Sequence, residues 1–276
     1  MTVAIHEALD PALYGGKAAA LARLINAGLP VPNGLAIDCE RVARAGHDGF
    51  SRCSLANHID SQLSVPLAVR SSCIGEDGTD ASFAGIYCTK LNVYGREAIA
   101  RALFDVEASA YSARALDYRT RRGLPPVGRM GIIVQPLINA DFSGVMFTRD
   151  PHTDEKTYVI ETARGLGETI AQGNVTPDRY RLSAYGQSTE HRYGRQRLMA
   201  RPRQGGGVEL VEVNPNDYAI FLSNDTLMRL KKLADDCERV LGPALDIEWA
   251  IANEKLWLLQ ARPITTRKQA ARGAGT

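Results

Sequence analysis

No apolar run in this 276-residue chain approaches the ~20 residues that a membrane-spanning helix requires. The opening stretch, MTVAIHEALDP, carries His6, Glu7 and Asp10 where a secretory leader would keep an unbroken apolar core. A cytoplasmic protein with no membrane partner is therefore expected. Cysteine is scarce: Cys39, Cys53, Cys73, Cys88 and Cys237 are odd in number and form no C-x-x-C pair, so they read as reduced thiols and not as a disulfide frame or a zinc site. The histidines His6, His47, His58, His152 and His191 lack the i, i+4 spacing that sets two metal ligands on one helix face. A dominant charge is also missing. With a net charge of +2 no nucleic-acid footprint is expected, and the locally basic RTRRG (119–123) and RYGRQRLMARPR (192–203) read as a solvated helix end and a surface loop.

What is present is a globular composition, 45% hydrophobic and 23% charged, on a chain long enough for one large domain or two modest ones. Its most informative stretch is LDIEWAIANEKLWLLQARPIT, Leu245 to Thr265, which reads as a β-hairpin. Side chains alternate along a strand, so Ile247, Trp249 and Ile251 share one face and Asp246, Glu248 and Ala250 the other. A three-residue turn centred on Glu254 would set Ala252 opposite Leu256, Ile251 opposite Trp257, Glu248 opposite Gln260 and Asp246 opposite Arg262. In that register Leu256 and Leu258 share the face of Gln260 and Arg262. Two readings of this face stand side by side. One is a surface hairpin with an Asp–Arg cross-strand pair; the other is a phosphate-metal site, since magnesium takes one or two protein carboxylates and completes its shell with water and phosphate oxygens.

At the other end, YGGKAAALARLINAGLPVPNG predicts a helix with an Ala18, Leu21, Leu24, Ile25 stripe that stops at Gly28 before Pro30 and Pro32. Lys17 falls in its first turn, where the helix dipole disfavours a cation unless an anion is near; the two preceding glycines would let a ligand approach the backbone. Residues 38–64 read as a polar, helical stretch. A strand from Leu67 to Arg70 then leads into a loop of small residues, Ser71 to Gly85, suited to cradling phosphates, and a second strand from Ile86 to Val93. Residues 95–122 predict one helix, MGIIVQPLI and FSGVMFTRDP two buried strands, residues 186–217 a polar connector, and Asn224 to Leu241 an amphipathic helix capped by Ser223 or Asn224.

Four segments in this order, GGKAAALARLINAGLPVPNGLAI, LAVRSSCIGEDGTDASFAG, VQPLINADFSGVMFTRDP with ETARGLGETIAQGNVTPDRY, and DIEWAIANEKLWLLQARPIT, resemble the nucleotide-binding domain of the phosphoenolpyruvate synthase and pyruvate phosphate dikinase family, which rifampin phosphotransferase shares. The resemblance implies an α+β fold of ATP-grasp type, with a first lobe over residues 1–94, a second over 95–266 and a flexible tail over 267–276. It implies ATP and Mg2+ as cofactors. Lys17, Arg70 and Arg262 would bind phosphates and stabilise charge in transfer. Ser71, Ser82 and Gly85 would belong to a loop closing over the phosphates, the backbone of Gln135, Pro136 and Leu137 would frame the adenine edge, and Thr148 and Glu168 would lie at the nucleotide. Glu248 and Gln260 would hold the metal.

The relatives continue into a domain with a phosphorylatable histidine, and no histidine here stands in a resembling context. An ATP-dependent phosphotransferase serving a histidine on a separate partner protein is the first expectation. The alternatives are an enzyme of the same fold that phosphorylates or ligates a small molecule directly, and a nucleotide-binding regulatory module without turnover.

Overall fold

The computed structural model of the protein describes residues 1–63, 65–76, 85–151, 153, 155–214, 220 and 222–264. Ser82 and the tail over 267–276 lie outside the described residues. In chain order, β1 (Thr2–Ala4), α1 (Pro11–Tyr14), α2 (Gly16–Asn26) and β2 (Leu35–Ile37) lead to the helices α3 (Cys39–His47) and α4 (Gly49–Gln62). The long strand β3 (Leu67–Cys73), β4 (Thr89–Val93), the helices α5 (Arg96–Ala108) and α6 (Ala113–Arg121), and β5 (Met130–Pro136) follow. These strands form a five-stranded antiparallel sheet in the order β1-β2-β5-β3-β4.

The boundary expected after residue 94 therefore needs correction, because β5 inserts between β2 and β3 as the central strand of the first sheet. Pairing between strands this far apart in sequence leaves no local mark in either one. The helix expected over 95–122 is two helices: α5 ends at a short 3-10 turn over Ser109–Tyr111, and Ser112 caps α6 by accepting from the Ala115 N–H at 3.2 Å. Arg119, expected at a solvated helix end, is buried, donating to the Pro125 carbonyl at 2.6 Å and to the Tyr87 hydroxyl at 3.2 Å.

The second sheet begins with β6 (Phe142–Phe147) and β7 (Tyr158–Arg164), continues after the short helix α7 (Glu168–Ala171) with β8 (Asp178–Leu182) and β9 (Ser188–Arg192), and is completed by the hairpin β12 (Leu245–Ala252) and β13 (Lys255–Pro263). Its order is β13-β12-β6-β7-β8-β9, antiparallel throughout. Between β9 and β12 come a two-stranded ribbon, β10 (Leu198–Pro202) and β11 (Val208–Glu212), and the helix α8 (Asn224–Leu241), capped by Ser223. The stretch expected as a connector thus holds three strands; their polar, half-exposed faces gave no apolar alternation to read.

Two apolar cores follow from this layout. Val42, Leu55, Ile59, Ile99, Leu103 and Val106 from α3 to α5 pack on Leu67, Val69, Ile132 and Val134 of the first sheet. Leu227, Leu230, Leu233, Ala234 and Cys237 of α8 join Leu21 and Leu24 of α2 and pack on Tyr158, Ile247, Trp249 and Leu258 of the second sheet. Helix α2, early in the chain, thus shares a core with strands near its end. Ala36 and Ile133 of the first sheet also belong to this second core, so α2 packs against both sheets.

The ribbon is bonded to both sheets. The Asn92 amide at the end of β4 donates to the carbonyls of Arg203 at 2.8 Å and Gly207 at 2.7 Å, and its own carbonyl accepts from the Gly207 N–H at 3.1 Å. Beyond β7, the Leu166 N–H donates to the Ala200 carbonyl at 2.9 Å.

Candidate functional site

The facing sides of the two sheets meet at Arg70. Alternation along β3 sends Leu67, Val69, Ser71 and Cys73 to the helix-covered side and Ala68, Arg70 and Ser72 to the other. From there the Arg70 guanidinium crosses to the second sheet, donating to the Glu248 carboxylate at 2.7 Å, the Gln260 side-chain oxygen at 3.0 Å and the Leu259 carbonyl at 2.6 Å. Glu248 and Gln260 are cross-strand partners, and so are Asp246 and Arg262, as the sequence predicts. Arg262 places Nε and Nη2 on one oxygen of Asp246, at 3.0 and 2.7 Å.

Nearer the turn the expected register is wrong. Asn253 and Glu254 form a two-residue turn with φ of 50° and 61°, the paired positive values of a type I′ hairpin, whose twist suits the flanking strands. Ala252 therefore faces Lys255, Ile251 faces Leu256 and Trp249 faces Leu258. An irregularity after Glu248, leaving Leu259 as the extra residue, restores the Glu248–Gln260 pairing. Leu256 and Leu258 consequently lie in the α8 core and not on the face of Gln260. The bulge is a feature of the ladder that alternation alone cannot supply.

Lys17 pairs with Glu76, a residue not singled out from the sequence, whose carboxylate is 3% exposed and also accepts from the Cys73 N–H at 2.9 Å. Of the two glycines before Lys17, the first has a packing role. Gly15, at φ 84°, presses on β3 so closely that a Cβ there would stand 1.9 Å from the Ser72 carbonyl oxygen. Ser72 in turn caps α2 from a distance, its hydroxyl accepting from the Ala18 N–H at 3.0 Å. Neither role leaves a local signature, because each depends on the contact between α2 and β3.

Charge follows this geometry. Burial drives the Glu248 carboxyl up, but Arg70, Lys17 and Arg262 outweigh it and hold the group below its ordinary value of 4.5. The side chain keeps 39% of its surface open. Burial raises the Asp246 carboxyl despite Arg262, with Glu248 adding to the rise, and burial alone raises Glu168 at the start of α7. Beside the polar cluster, Ala140, Leu166, Ala200 and Ala250 form an apolar patch with Leu137, Ile138 and Leu259 packed on it.

The other expected residues are spread around the two sheets. Thr148 is on the α8 side of its sheet, its hydroxyl donating to Glu238 and accepting from the Leu245 N–H at 2.9 Å. Ser71 faces the helix-covered core, and Gly85 is exposed beside Arg114 of α6. The Gln135 amide is buried, donating to the Pro32 carbonyl at 2.7 Å; Pro136 ends β5, and the Leu137 N–H donates to the Pro66 carbonyl at 2.8 Å. That bond occupies the one backbone donor of Leu137.

For magnesium the donor set is suitable: a carboxylate and an amide oxygen on adjacent strands meet the small number of protein ligands the ion usually takes. Among the described residues no group of three or more His, Cys, Asp or Glu side chains could hold a metal by itself. No helix among the described residues is long and apolar enough to cross a membrane.

A two-sheet α+β domain with cations and carboxylates gathered between its sheets is the class this geometry defines. Residues 51–275 match the family described as "Pyruvate phosphate dikinase, AMP/ATP-binding domain", and the chain belongs to that family. It is 34% identical to the prodigiosin synthesizing transferase PigC of Serratia marcescens over 94% of this chain and 32% of that protein. It is 31% identical to a probable phosphoenolpyruvate synthase of Archaeoglobus fulgidus over 93% of this chain and 40% of the relative. The rifampicin phosphotransferase of Bacillus subtilis is 33% identical over 72% of this chain and 23% of its own length. The chain thus spans well under half the length of these relatives. Among solved structures, the D-alanine–D-alanine ligase of Helicobacter pylori aligns with a TM-score of 0.45 and 12% identity, covering 92% of this chain and 54% of that one.

Proposed function

We propose that the chain is an ATP-dependent phosphotransferase unit of ATP-grasp type that cleaves ATP with magnesium and passes a phosphoryl group to a histidine on a separate partner protein. The observation that carries this reading is the bridge from Arg70 on the first sheet to Glu248 and Gln260 on the second, which sets a cation and two oxygen donors at one point between the sheets. None of His6, His47, His58 and His191, the described histidines, hydrogen-bonds to that cluster.

In this reading Lys17, Arg70 and Arg262 contact the phosphates and offset the charge that spreads over the transferring group, the main contribution a protein can make to phosphoryl transfer. A nitrogen of the acceptor imidazole bonds to the β-phosphorus as the bond from that phosphorus to the α,β-bridging oxygen breaks, and AMP leaves with the electron pair; water then displaces the terminal phosphate as inorganic phosphate, leaving one phosphoryl group on the histidine. Glu248 and Gln260 would hold magnesium, which when bound neutralises phosphate charge. The apolar patch beside Leu137 and Leu259 suits the base, and Glu168 lies on the short helix after Leu166, which belongs to that patch.

The test is to incubate the purified protein with ATP and magnesium, with and without fractions of a cell extract, and to identify the products. AMP together with a phosphohistidine on a protein in the active fraction is the expected result. Turnover that needs only a small-molecule fraction would move the acceptor to a small molecule, and ATP binding without turnover under any condition would reduce the chain to a nucleotide-binding module.

A further inference from the structure

Lys17 is a candidate phosphate ligand, yet its ammonium is already spoken for. It emerges from the first turn of α2, where the helix dipole opposes a cation. It ends on Glu76, which lies just past β3 and is almost wholly buried. The Glu76 carboxylate is fixed from both sides: one oxygen takes the lysine and the other takes the Cys73 N–H at 2.9 Å, while the Glu76 N–H donates to the Cys73 carbonyl at 3.2 Å. The acid is thus tied to the backbone at the end of a strand and cannot follow the lysine elsewhere. Lysine differs in this respect, since its four-carbon stem rotates freely and its ammonium has three donors. Lys17 also contributes to holding down the Glu248 carboxyl on the opposite sheet, so its charge is felt on both sides of the gap.

We infer that Glu76 is the internal counter-ion of Lys17, a positioning residue that presents the ammonium to the gap between the sheets and yields it to the phosphates of an entering nucleotide. The inference rests on the phosphotransferase reading. In the nucleotide-free protein the carboxylate keeps the lysine in place. When ATP enters beside Arg70, its phosphates compete with that carboxylate for the ammonium of Lys17. Glu76 thereby lowers the affinity for ATP while having no effect on a ligand that lacks phosphate.

The experiment is a set of calorimetric titrations with ATP plus magnesium, and separately with adenosine, on the wild-type chain, Glu76→Gln, Lys17→Ala and the double variant. Glutamine keeps an oxygen for the Cys73 N–H and drops the charge. It is expected to tighten ATP binding on the order of fivefold, the size of one screened charge contact, and to leave adenosine binding unchanged. In the Lys17→Ala background the same substitution is expected to change nothing, because the competition acts through the lysine. A folded Glu76→Gln chain that binds ATP no tighter than wild type overturns the inference, and so does an equal gain in the absence of Lys17. If Glu76→Gln does not fold, Glu76→Asp takes its place: too short to reach both Lys17 and the Cys73 N–H, it is expected to give a smaller gain, and no gain overturns the inference. Absence of ATP binding by the wild-type chain would overturn the phosphotransferase reading and this inference together.

Discussion

Arg70 and Leu259 are 189 residues apart in sequence, yet the guanidinium of one donates to the backbone carbonyl of the other at 2.6 Å. Leu259 is the extra residue where the β12–β13 register shifts. A bulged residue drops out of the ladder, and here its carbonyl is taken by an arginine from the other sheet. Replacing Arg70 by methionine removes this bond and leaves Glu248 without its nearest cation. A lower melting temperature together with loss of ATP cleavage is expected in a thermal melt and a product assay; unchanged turnover would exclude Arg70 from the chemistry.

Glu248→Gln separates metal binding from folding. The side chain is part-open and its neutral replacement is isosteric, so the melting temperature should stay within a few degrees of wild type. Magnesium-dependent ATP turnover should fall at least tenfold, because one ligand charge is gone. Turnover equal to wild type at every magnesium concentration would remove Glu248 from the metal site.

Thr148 carries the opposite expectation. Its hydroxyl lies between Glu238 of α8 and the Leu245 N–H, away from the polar cluster. Thr148→Val should therefore destabilise the chain by about 1–3 kcal/mol, the cost of leaving buried partners unsatisfied, while ATP affinity stays the same. Denaturant melts and nucleotide titration on one preparation would check both halves.

The carboxyls of β12 should titrate in opposite directions. Glu248 is held below its ordinary 4.5, so the stability it contributes is fully present above the unfolded value and is lost as pH falls through the lower folded value. Asp246 is raised above its ordinary 3.8, so the folded chain holds that proton longer and the associated stability declines as pH rises from the unfolded to the folded value. Carbon-detected NMR titration of labelled side chains would read both, and Arg70→Met should move Glu248 upward. A Glu248 midpoint above 4.5 in the wild-type chain would contradict the arrangement.

Periodicity made the hairpin, α2 and α8 legible, and with them the pairing of Glu248 with Gln260 and of Asp246 with Arg262. Each was readable because a sheet or helix face repeats at a fixed interval. The bulge at Leu259 was not legible, since one extra residue changes the parity of everything on its turn side without altering composition. The pairing of Glu76 with Lys17 and the capping of α2 by Ser72, read from the sequence as a residue of the phosphate loop, were not legible for another reason: both act through contacts with α2, more than fifty residues earlier, and neither residue type is unusual in a loop or a strand. The resemblance identified the family, yet it did not reveal that Thr148 bonds to Glu238 of α8 or that Ser71 lies on the helix-covered side of β3. A motif transfers positions, whereas the side a residue faces is decided by the ladder it joins.

The β10–β11 ribbon has a mechanical consequence. Held by Asn92 at its turn and by the Leu166–Ala200 bond at the middle of β10, it braces the two sheets as a crossbar braces two panels. Neither panel can swing away from the other without breaking bonds at the bar. The width of the opening between them is thereby set by the brace as well as by whatever enters it.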